Sequence, residues 1–407
     1  MTKIKDFVIL STSSIYPKEN IVYNLYSLPA FDNEQKCEIL RGKDIQSNKY
    51  IVPDKCILFN KLNVRFKRVW RIDSLEEHKL CSTEFLPLII DETKVDYQYF
   101  FYLLISDSIT NYLCGQNANT SGSHKRISPA DLLEIPVKLP SMPEQKAIGK
   151  ILSDIDRKIA LNKAINHNLV AMAKQLYDYW FVQFDFPNRD GKPYKSSGGK
   201  MVWNEKLKRE IPEGWEVKEL NEIIKVKDGT HTSPKPQNEG YYLITSKHIS
   251  ENGIDFNSAY RISIEDYTEI NRRSLVESRD ILFSMIGTIG QKYLVTERTI
   301  NYAIKNMALL KTSQYTEIVY YIWLYLSSID YIRYESNVIS GSIQKFMSLD
   351  AMRKIPILYN LEKILSFQKI VTNLFLQISI TNSENKILTK QRDELLPLLM
   401  NGQVTVG

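Results

Sequence analysis

The chain has 407 residues, 43% hydrophobic and 25% charged, which is typical of a soluble globular protein with room for two or three domains. Its net charge of +6 leans toward an anionic partner such as nucleic acid, although many proteins of this size reach that charge without one. Four cysteines without a CxxC pair argue against a zinc site or disulfides and favour reduced thiols in a cytoplasmic protein.

A basic segment in the first part of the chain is the first candidate DNA contact. A period-two pattern over residues 57–71 predicts a strand with one polar, mostly cationic face, made of Lys61, Asn63, Arg65, Lys67 and Arg71. This face could lie against phosphates and base edges, but a half-buried strand with a solvated basic face fits equally well. Lys43, in the upstream hexapeptide Lys-Asp-Ile-Gln-Ser-Asn, is a further candidate.

An apolar helix and a small turn come next. Residues 97–105 are intensely apolar but much shorter than the roughly 20 residues of a membrane-spanning helix, so they predict a core helix, as do residues 318–326. In the turn at residues 121–126, backbone N–H groups can hold a phosphate while basic side chains add charge. The turn therefore predicts DNA contacts from Ser121, Gly122, Ser123, Lys125 and Arg126.

Residues 143–180 predict one long helix. Apolar residues recur in it at spacings of three and four, as in a coiled-coil seam: Ile148, Leu152, Ile155, Ile159, Leu169, Ala173, Leu176 and Trp180. Asn162 interrupts the seam, where an asparagine is unfavourable alone but fixes register and orientation when it meets another. Residues 187–210, rich in Pro, Gly, Ser and Lys, predict a linker.

The second half of the chain repeats this order. After Ile-Pro-Glu-Gly-Trp at residues 211–215, a polar loop rigidified by proline suits a groove or phosphate contact, although an ordinary β-turn is the plainer explanation. Its candidate contacts are Lys227, Thr230, His231, Thr232 and Lys235. Lys247 matches Lys43, and a strand predicted over residues 281–290 matches the basic strand without its charges. This strand and a second small turn offer Ser284, Gly287, Thr288, Ser340, Gly341, Ser342, Gln344 and Lys345.

A second long helix is predicted over residues 367–396. Asn385 occupies the place in its seam that Asn162 occupies in the first helix. Antiparallel packing would bring the two asparagines face to face; solvated asparagines on an irregular surface helix are the alternative. Helices of about 35 residues span roughly 50 Å, or on the order of 15 base pairs, so such a pair could act as a ruler on DNA.

The two halves match at five places in the same order, about 220 residues apart. Short matches beginning at Ile57, Ser121, Ile135 and Gln145 return at Ile281, Ser340, Ile355 and Gln368, and the apolar run ending at Ser106 returns ending at Ser327. Five matches with nearly constant spacing indicate a tandem duplication, and a protein of two similar modules is expected to meet two similar ligands.

No motif indicates catalysis. The chain has no Walker A loop, no G-x-G-x-x-G after a strand, no Asn/Asp-Pro-Pro-aromatic tetrapeptide of adenine methyltransferases, and no HExxH pair. We therefore expect a binding protein rather than an enzyme, with no metal site.

These features resemble the specificity subunit of type I restriction-modification systems over nearly the whole chain. The likeness is closest in Pro-Glu-Gln-Lys-Ala-Ile at residues 143–148, in Trp-Phe-Val-Gln-Phe-Asp-Phe-Pro-Asn at 180–188, in Pro-Glu-Gly-Trp at 212–215 and in Asp-Ile-Leu-Phe-Ser-Met-Ile-Gly at 280–287. Copy one departs from the pattern in two places. Its opening segment is not recognisable, and neither is its counterpart of the second copy's Gly-Thr loop, which contains Gly229 and Thr230.

The resemblance implies a mixed α/β (α+β) fold with two similar globular DNA-recognition domains separated by two long antiparallel coiled-coil helices. In this sequence they would be target recognition domain 1 at residues 1–142, a central helix at 143–186, the linker at 187–210, target recognition domain 2 at 211–360, and a C-terminal helix and tail at 361–407.

The resemblance also implies a non-catalytic subunit that binds a bipartite double-stranded DNA target. It would position two adenine-N6 methyltransferase subunits and restriction/translocase subunits. Those partners use S-adenosylmethionine, ATP and Mg²⁺, and this chain binds no cofactor. Two alternatives stay open: the recognition region of a fused restriction-methyltransferase, and a two-module coiled-coil adaptor without DNA affinity. Salt-dependent binding to duplex DNA would exclude the adaptor.

Overall fold

The computed structural model describes residues 2–33, 35–116, 126–250, 253–339 and 346–404. They form two compact units, one made of Met1–Asn162 with Ser383–Gly407 and the other of Lys163–Asn382. The boundaries fall inside the first long helix, Met142–Tyr177, and inside the second long helix, Leu361–Met400. Each long helix therefore contributes one half to each unit.

The first unit is built on two sheets. An antiparallel sheet has the strand order Val8–Leu10, Phe85–Ile90, Lys55–Asn60, Val69–Asp73. A mixed sheet has the order Ser14–Ile15, Lys49–Ile51, Lys79–Cys81, Val22–Tyr26, Glu38–Arg41. The short strand Thr2–Lys3 pairs with Pro136–Val137. The α-helices are Leu28–Asp32, Tyr97–Leu104, Asp107–Gln116 and Pro129–Leu133, and the 3-10 turns are Ile4–Asp6, Gly42–Asp44 and Val64–Phe66.

The apolar helix Tyr97–Leu104 anchors the core of the first unit, as the sequence predicts. Asp96 caps the helix through its Oδ1, which accepts from the Tyr99 N–H at 2.9 Å. Gln145 of the first long helix is 2% exposed, and its Oε1 accepts from the Asp96 N–H at 2.9 Å. Gly149 allows the close approach, because a Cβ there would lie 2.8 Å from the Tyr99 nitrogen.

The second unit repeats this plan. Its antiparallel sheet has the order Val226–Asp228, Met307–Leu310, Ile281–Ser284, Lys292–Leu294, and its mixed sheet has the order Arg261–Ile262, Tyr241–Ile244, Tyr302–Ile304. Further strand pairs are Met201–Asn204 with Arg209–Pro212, Glu216–Glu219 with Pro356–Tyr359, and Ile249–Ser250 with Gly253–Ile254. The α-helices are Leu220–Ile223, Ile264–Ser274, Val319–Tyr325, Ile329–Val338 and Leu349–Arg353. The 3-10 turns are Lys195–Ser197, Ser246–His248, Thr312–Gln314 and Thr316–Ile318, and one π-helical turn is Asp178–Val182.

The two units share details that the sequence repeat only suggests. In each, a parallel strand pair joins an antiparallel edge strand, and a serine, Ser128 or Ser348, caps the short helix before the last strand. Gln368 repeats the role of Gln145, since its Oε1 accepts from the Tyr320 N–H at 3.1 Å. The Ile4 N–H donates to Ile135 as the Leu220 N–H donates to Ile355, so copy one does have a counterpart of the second copy's opening segment. The expected mixed fold with two similar domains is confirmed.

The long helices run antiparallel within each unit. In the first unit, Leu152 shares a core cluster with Leu399, and the Asp156 carboxylate receives a hydrogen bond from Arg392 at 3.0 Å. Nδ2 of Asn162 lies 2.9 Å from Oδ1 of Asn385, so the two seam asparagines do meet. In the second unit, Ala173 and Tyr177 share a core cluster with Val371 and Phe367, which continues the same antiparallel sense.

The prediction of one strand over residues 57–71 is wrong. Lys55–Asn60 and Val69–Asp73 form a hairpin whose connection contains the turn Val64–Phe66. Asn63 and Lys67 flank the turn with φ of 51° and 49°, and this left-handed backbone breaks the alternation of faces. The strand predicted over residues 281–290 likewise ends at Ser284.

The segment predicted as a linker, residues 187–210, is folded. It contains the turn Lys195–Ser197, and Met201–Asn204 pairs with Arg209–Pro212. The Phe186 ring stacks on Tyr194 and on Trp215 with centroids 4.8 and 5.0 Å apart. The prolines and glycines that suggested a linker belong to turns around this aromatic stack.

Within the part of the chain that the structure describes, one helix is long and apolar enough to cross a membrane by length and composition alone. This is Leu361–Met400, and 33% of its most apolar window is buried in the protein. Core helices of soluble proteins pass the same test, and apolar residues toward the two ends of this helix join the core clusters of the two units.

Candidate nucleic-acid interface

Three loops of the first unit leave the same end of its antiparallel sheet. Phe85 pairs with Asn60, and Leu88 pairs with Leu10, so the beginning of Phe85–Ile90 lies beside the ends of its two neighbours. Residues 11–13, 61–68 and 82–84 therefore emerge together. Arg126 joins them through a bridge to Leu62, and the Ile127 N–H donates to the Lys61 carbonyl.

The connection at residues 61–68 presents an exposed aromatic ring among cations. Phe66 is 56% exposed, and the guanidinium carbons of Arg65 and Arg68 lie 5.3 and 5.1 Å from its ring centroid. Strict alternation over residues 57–71 would place Phe66 opposite the cationic face, so the sequence pattern does not predict its exposure. Exposed rings beside arginines stack on bases in many nucleic-acid-binding proteins, which makes Phe66 a candidate contact.

Ion pairs hold part of this basic connection. Lys67 reaches Asp107 at 2.7 Å, and Arg68 makes two 2.7 Å hydrogen bonds to Asp32. Arg71, on the predicted cationic face, faces the protein instead: its guanidinium stacks 4.2 Å from the Phe101 ring centroid.

Arg126 pairs with a carboxylate at the same sheet end. Its guanidinium donates to both oxygens of Glu84 at 2.8 and 3.0 Å, and this hydrogen bonding raises the pKa of Arg126. The Arg126 side chain stays 61% exposed, so its outer face is open to a phosphate.

The second unit brings equivalent loops to the equivalent sheet end. Asp228 pairs with Ala308, and Ser284 pairs with Met307, so residues 229–235, 285–291 and 305–306 emerge together. A Cβ on Gly229 would lie 2.8 Å from the Ile304 carbonyl oxygen, which explains the glycine at this close approach. Phe346 bridges to Ile286 as Arg126 bridges to Leu62.

Polar side chains of these loops bond to one another. Thr230 and Thr232 hydroxyls lie 2.8 Å apart, and the Thr288 hydroxyl donates to Gln291 at 2.8 Å. The His231 ring lies between Asp228 and Asn306, at 2.8 and 2.9 Å. The sequence singled out His231 but not Asn306, which is 75 residues away in the chain.

The remaining predicted residues of the described chain differ in burial and position. Ser284 is fully buried and donates to the Ile286 carbonyl at 3.1 Å, and Lys227 is half-buried in its strand. Lys235 and Lys247 are exposed. Lys43 is exposed too. It follows the edge strand Glu38–Arg41, whose last residue pairs with Val22, so Lys43 lies beside the beginning of Val22–Tyr26.

Lys43 and Lys247 occupy similar local positions. Each is the middle residue of a 3-10 turn that follows a strand: Gly42–Asp44 follows Glu38–Arg41, and Ser246–His248 follows Tyr241–Ile244. The strands themselves are placed differently, since Glu38–Arg41 lies at the edge of its mixed sheet and Tyr241–Ile244 at the centre of its own.

Both small turns fall outside the described residues. The expected contacts there are Ser121, Gly122, Ser123, Lys125, Ser340, Gly341, Ser342, Gln344 and Lys345. They stay predictions. The flanking Arg126 and Phe346 are described, and both reach the sheet ends discussed above.

The counterpart of the Gly-Thr loop in copy one is residues 11–14, Ser-Thr-Ser-Ser. Leu10 pairs with Leu88, and the next residue, Ser11, donates its N–H to the carbonyl of Pro87. In the same way Asp228 pairs with Ala308, and the next residue, Gly229, donates its N–H to the carbonyl of Met307. Thr12 thus corresponds to Thr230, and it is exposed. The signal available in the sequence was a run of hydroxyl side chains directly after a strand.

Among the described residues, no group of three or more His, Cys, Asp or Glu could hold a metal ion. The polar groups at the two sheet ends include hydroxyls, amides and cations, with the carboxylates of Glu84 and Asp228 and the His231 ring beside them. Hydroxyl, amide and cationic groups can bind phosphates and base edges.

Comparison with known proteins gives a consistent likeness. Residues 2–170 and 212–389 match the family described as the type I restriction modification DNA specificity domain. The type I restriction enzyme MjaIX specificity subunit of Methanocaldococcus jannaschii is 25% identical over 344 residues, 82% of this chain and 75% of the relative. The type I restriction enzyme HindI specificity subunit of Haemophilus influenzae is 23% identical over 434 residues, 90% and 91% of the two chains.

A solved structure has a similar fold. The crystal structure of the type I restriction-modification system S subunit from M. genitalium aligns with a TM-score of 0.55 at 15% identity. The alignment covers 98% of this chain and 95% of that one.

Proposed function

The chain belongs to the family of type I restriction modification DNA specificity proteins, and we propose that it reads a bipartite DNA target, one half with each domain. The observation that carries this proposal is the repeated sheet end. In both units, loops rich in hydroxyl, amide and cationic groups leave the same end of the same antiparallel sheet. Two such surfaces suit two separate stretches of one duplex.

The chemistry of the loops supports recognition rather than catalysis. Thr230, Thr232, Asn306 and Lys305 offer donors and acceptors to base edges and phosphates. The chain would therefore act without catalysing a reaction, in the cytoplasm, as the part of a larger complex that selects the DNA sequence. Its partners would be two adenine-N6 methyltransferase subunits and restriction/translocase subunits, and those subunits would use S-adenosylmethionine, ATP and Mg²⁺.

The long helices would set the spacing between the two half-sites. Asn162 is 1% exposed between the two long helices, and its hydrogen bond to Asn385 favours one register of the pair. A fixed register supports a fixed spacer in the DNA target.

Reconstitution tests the proposal. The chain is mixed with the methyltransferase subunit of its own system, S-adenosylmethionine and duplex DNA, and N6-methyladenine is mapped at base resolution. We expect methylation at one split sequence, none with either protein alone, and binding of the chain to duplex DNA that weakens as salt rises. Methylation or cutting by the chain alone, or binding that is indifferent to salt, would contradict the proposal.

A further inference from the structure

The turn at Asn306 holds its side chain at the recognition end of the second unit. Asn306 has a φ of 55°, in the left-handed region that asparagine tolerates better than most residues. Its backbone N–H donates to the Thr230 carbonyl at 3.0 Å, and the Thr230 N–H donates to the Ile304 carbonyl at 3.0 Å. These two bonds fix the turn against the Gly-Thr loop.

His231 contacts the carboxamide of Asn306. Its Nδ1 lies 2.9 Å from Oδ1 of Asn306, and its Nε2 lies 2.8 Å from Oδ2 of Asp228. The Asp228 side chain is 8% exposed, so the ring is tied to a nearly buried carboxylate, whereas the His231 side chain is 62% exposed. Asn306 itself is half-buried, and its Nδ2 has no hydrogen-bond partner among the described residues.

Both ring nitrogens of His231 thus face oxygen atoms. An imidazolium satisfies both, since it donates to Asp228 and to Oδ1 of Asn306 and leaves Nδ2 directed outward as a donor. A neutral ring that donates to Asp228 has an acceptor at Nδ1. That acceptor requires the Asn306 amide to turn over, which directs Oδ1 outward as an acceptor. The His231 ring therefore decides which way the Asn306 amide faces.

The surrounding charges are few. The Arg273 guanidinium, on the helix Ile264–Ser274, lies 3.6 Å from Oδ2 of Asp228. Lys305 precedes Asn306, and its ammonium bonds the Ser233 hydroxyl. Asp228 is the carboxylate in contact with the ring, and its Oδ1 is buried without a hydrogen-bond partner among the described residues.

We propose that Asn306 reads the edge of one base pair in the half-site of the second domain, and that His231 positions its amide. The ligand is a base edge in a DNA groove, where a carboxamide discriminates between donors and acceptors. The proposal rests on the function proposed above and adds to it a reading residue and a positioning residue. His231 acts through Asn306, so the loss of its ring should lower discrimination at that base pair and leave the other pairs unchanged.

Asn306→Gly tests the reading role. Glycine keeps the left-handed turn but removes the amide, so a purely conformational role predicts no change. The complex with the methyltransferase subunit is assayed on duplexes that carry every single substitution in both half-sites. We expect discrimination at one base pair of the second domain's half-site to fall by roughly 5- to 150-fold. Discrimination in the first domain's half-site should stay unchanged and serves as the internal control.

Asn306→Asp is the second variant. It keeps the size of the side chain and its tolerance of the left-handed turn, but it offers only acceptors. The preferred base at the same pair should therefore change rather than merely weaken. Unaltered discrimination in both variants overturns the reading role of Asn306. A wild-type complex that methylates no split target refutes the proposed function itself, so the two failures are distinguishable.

Rescue by a conservative variant tests the positioning role of His231. His231→Phe removes both ring hydrogen bonds, whereas His231→Gln keeps a carboxamide that can bond the Asn306 amide. The ratio of methylation rates on the cognate and the singly substituted duplex is measured at each base pair of the second domain's half-site. We expect the ratio at the Asn306 base pair to fall in His231→Phe and to be partly restored in His231→Gln, with the ratios at the other pairs unchanged. An unaltered ratio at that pair in His231→Phe, or equal losses at every pair, overturns the role of His231.

Discussion

Replacing Asn162 with alanine should weaken the long-helix pair. Asn162 is 1% exposed, and its Nδ2 donates to Asn385 Oδ1 at 2.9 Å and to Glu384 Oε2 at 2.7 Å. A neutral hydrogen bond contributes about 1 kcal/mol, and one to a charged group about 1.5–3 kcal/mol. Asn385 and Glu384 are half-buried and regain water once the donor is gone, so the loss should be about 2 kcal/mol.

Hydrogen exchange of the helix amides around Asn162 measures this loss locally. A local measurement is needed because a chain with two units does not unfold in one step. Asn166→Ala is the matched control: Asn166 donates to the exposed Asn382 at 2.7 Å and accepts from the Thr381 hydroxyl, which also reaches backbone carbonyls of its own helix and keeps them in the variant. The control should cost less than about 1 kcal/mol.

A double-mutant cycle separates the pair from its surroundings. Asn162→Ala and Asn385→Ala should be coupled by about 1 kcal/mol, the contribution of one neutral hydrogen bond. Two results would refute the stabilising role of the Asn162–Asn385 hydrogen bond. One is a coupling energy indistinguishable from zero, and the other is a loss of stability in Asn162→Ala no larger than in Asn166→Ala.

Four further outcomes are expected. Deleting one heptad from each long helix should shorten the spacer of the methylated DNA target by about three base pairs. A four-residue deletion should instead rotate the seam and impair assembly. If the heptad-deleted protein still directs methylation at the original spacing, the helices do not set that spacing. Replacing Lys125 and Arg126 with alanine should weaken binding to all sequences and lower the salt slope by up to about two units, and an unchanged slope would place both away from DNA. Gly229→Ala should impair methylation because its Cβ meets a backbone carbonyl, whereas Gly214→Ala, with φ 80° and open space around it, should shift only thermal stability. Burial lowers the pKa of His248, and its Nδ1 accepts from a backbone N–H at 3.0 Å. The contribution of the neutral ring to folding stability should therefore be complete above about pH 6.5 and decrease as the pH drops below it. His248→Gln should lessen that decrease, which acid unfolding measures.

The sequence by itself determined the features that depend on local periodicity. The spacing of three and four predicted both long helices, and the apolar run predicted the buried helix Tyr97–Leu104. Asn162 and Asn385 could be matched before their contact was seen, because two equal helices with a polar residue near the middle align those residues when antiparallel. These inferences needed no knowledge of which strands pair.

The tertiary structure decided what depends on strand pairing across long stretches of chain. Thr12 could be matched to Thr230 only through the hydrogen bonds that follow Leu10 and Asp228, since the residues themselves share little. Phe66 is exposed in the basic hairpin because the left-handed residues Asn63 and Lys67 end the alternation of faces on which a strand prediction depends. Asn306 meets His231 only because Val226–Asp228 pairs with Met307–Leu310 in one register, and a shift by one residue would move the side chains of that strand to the other face.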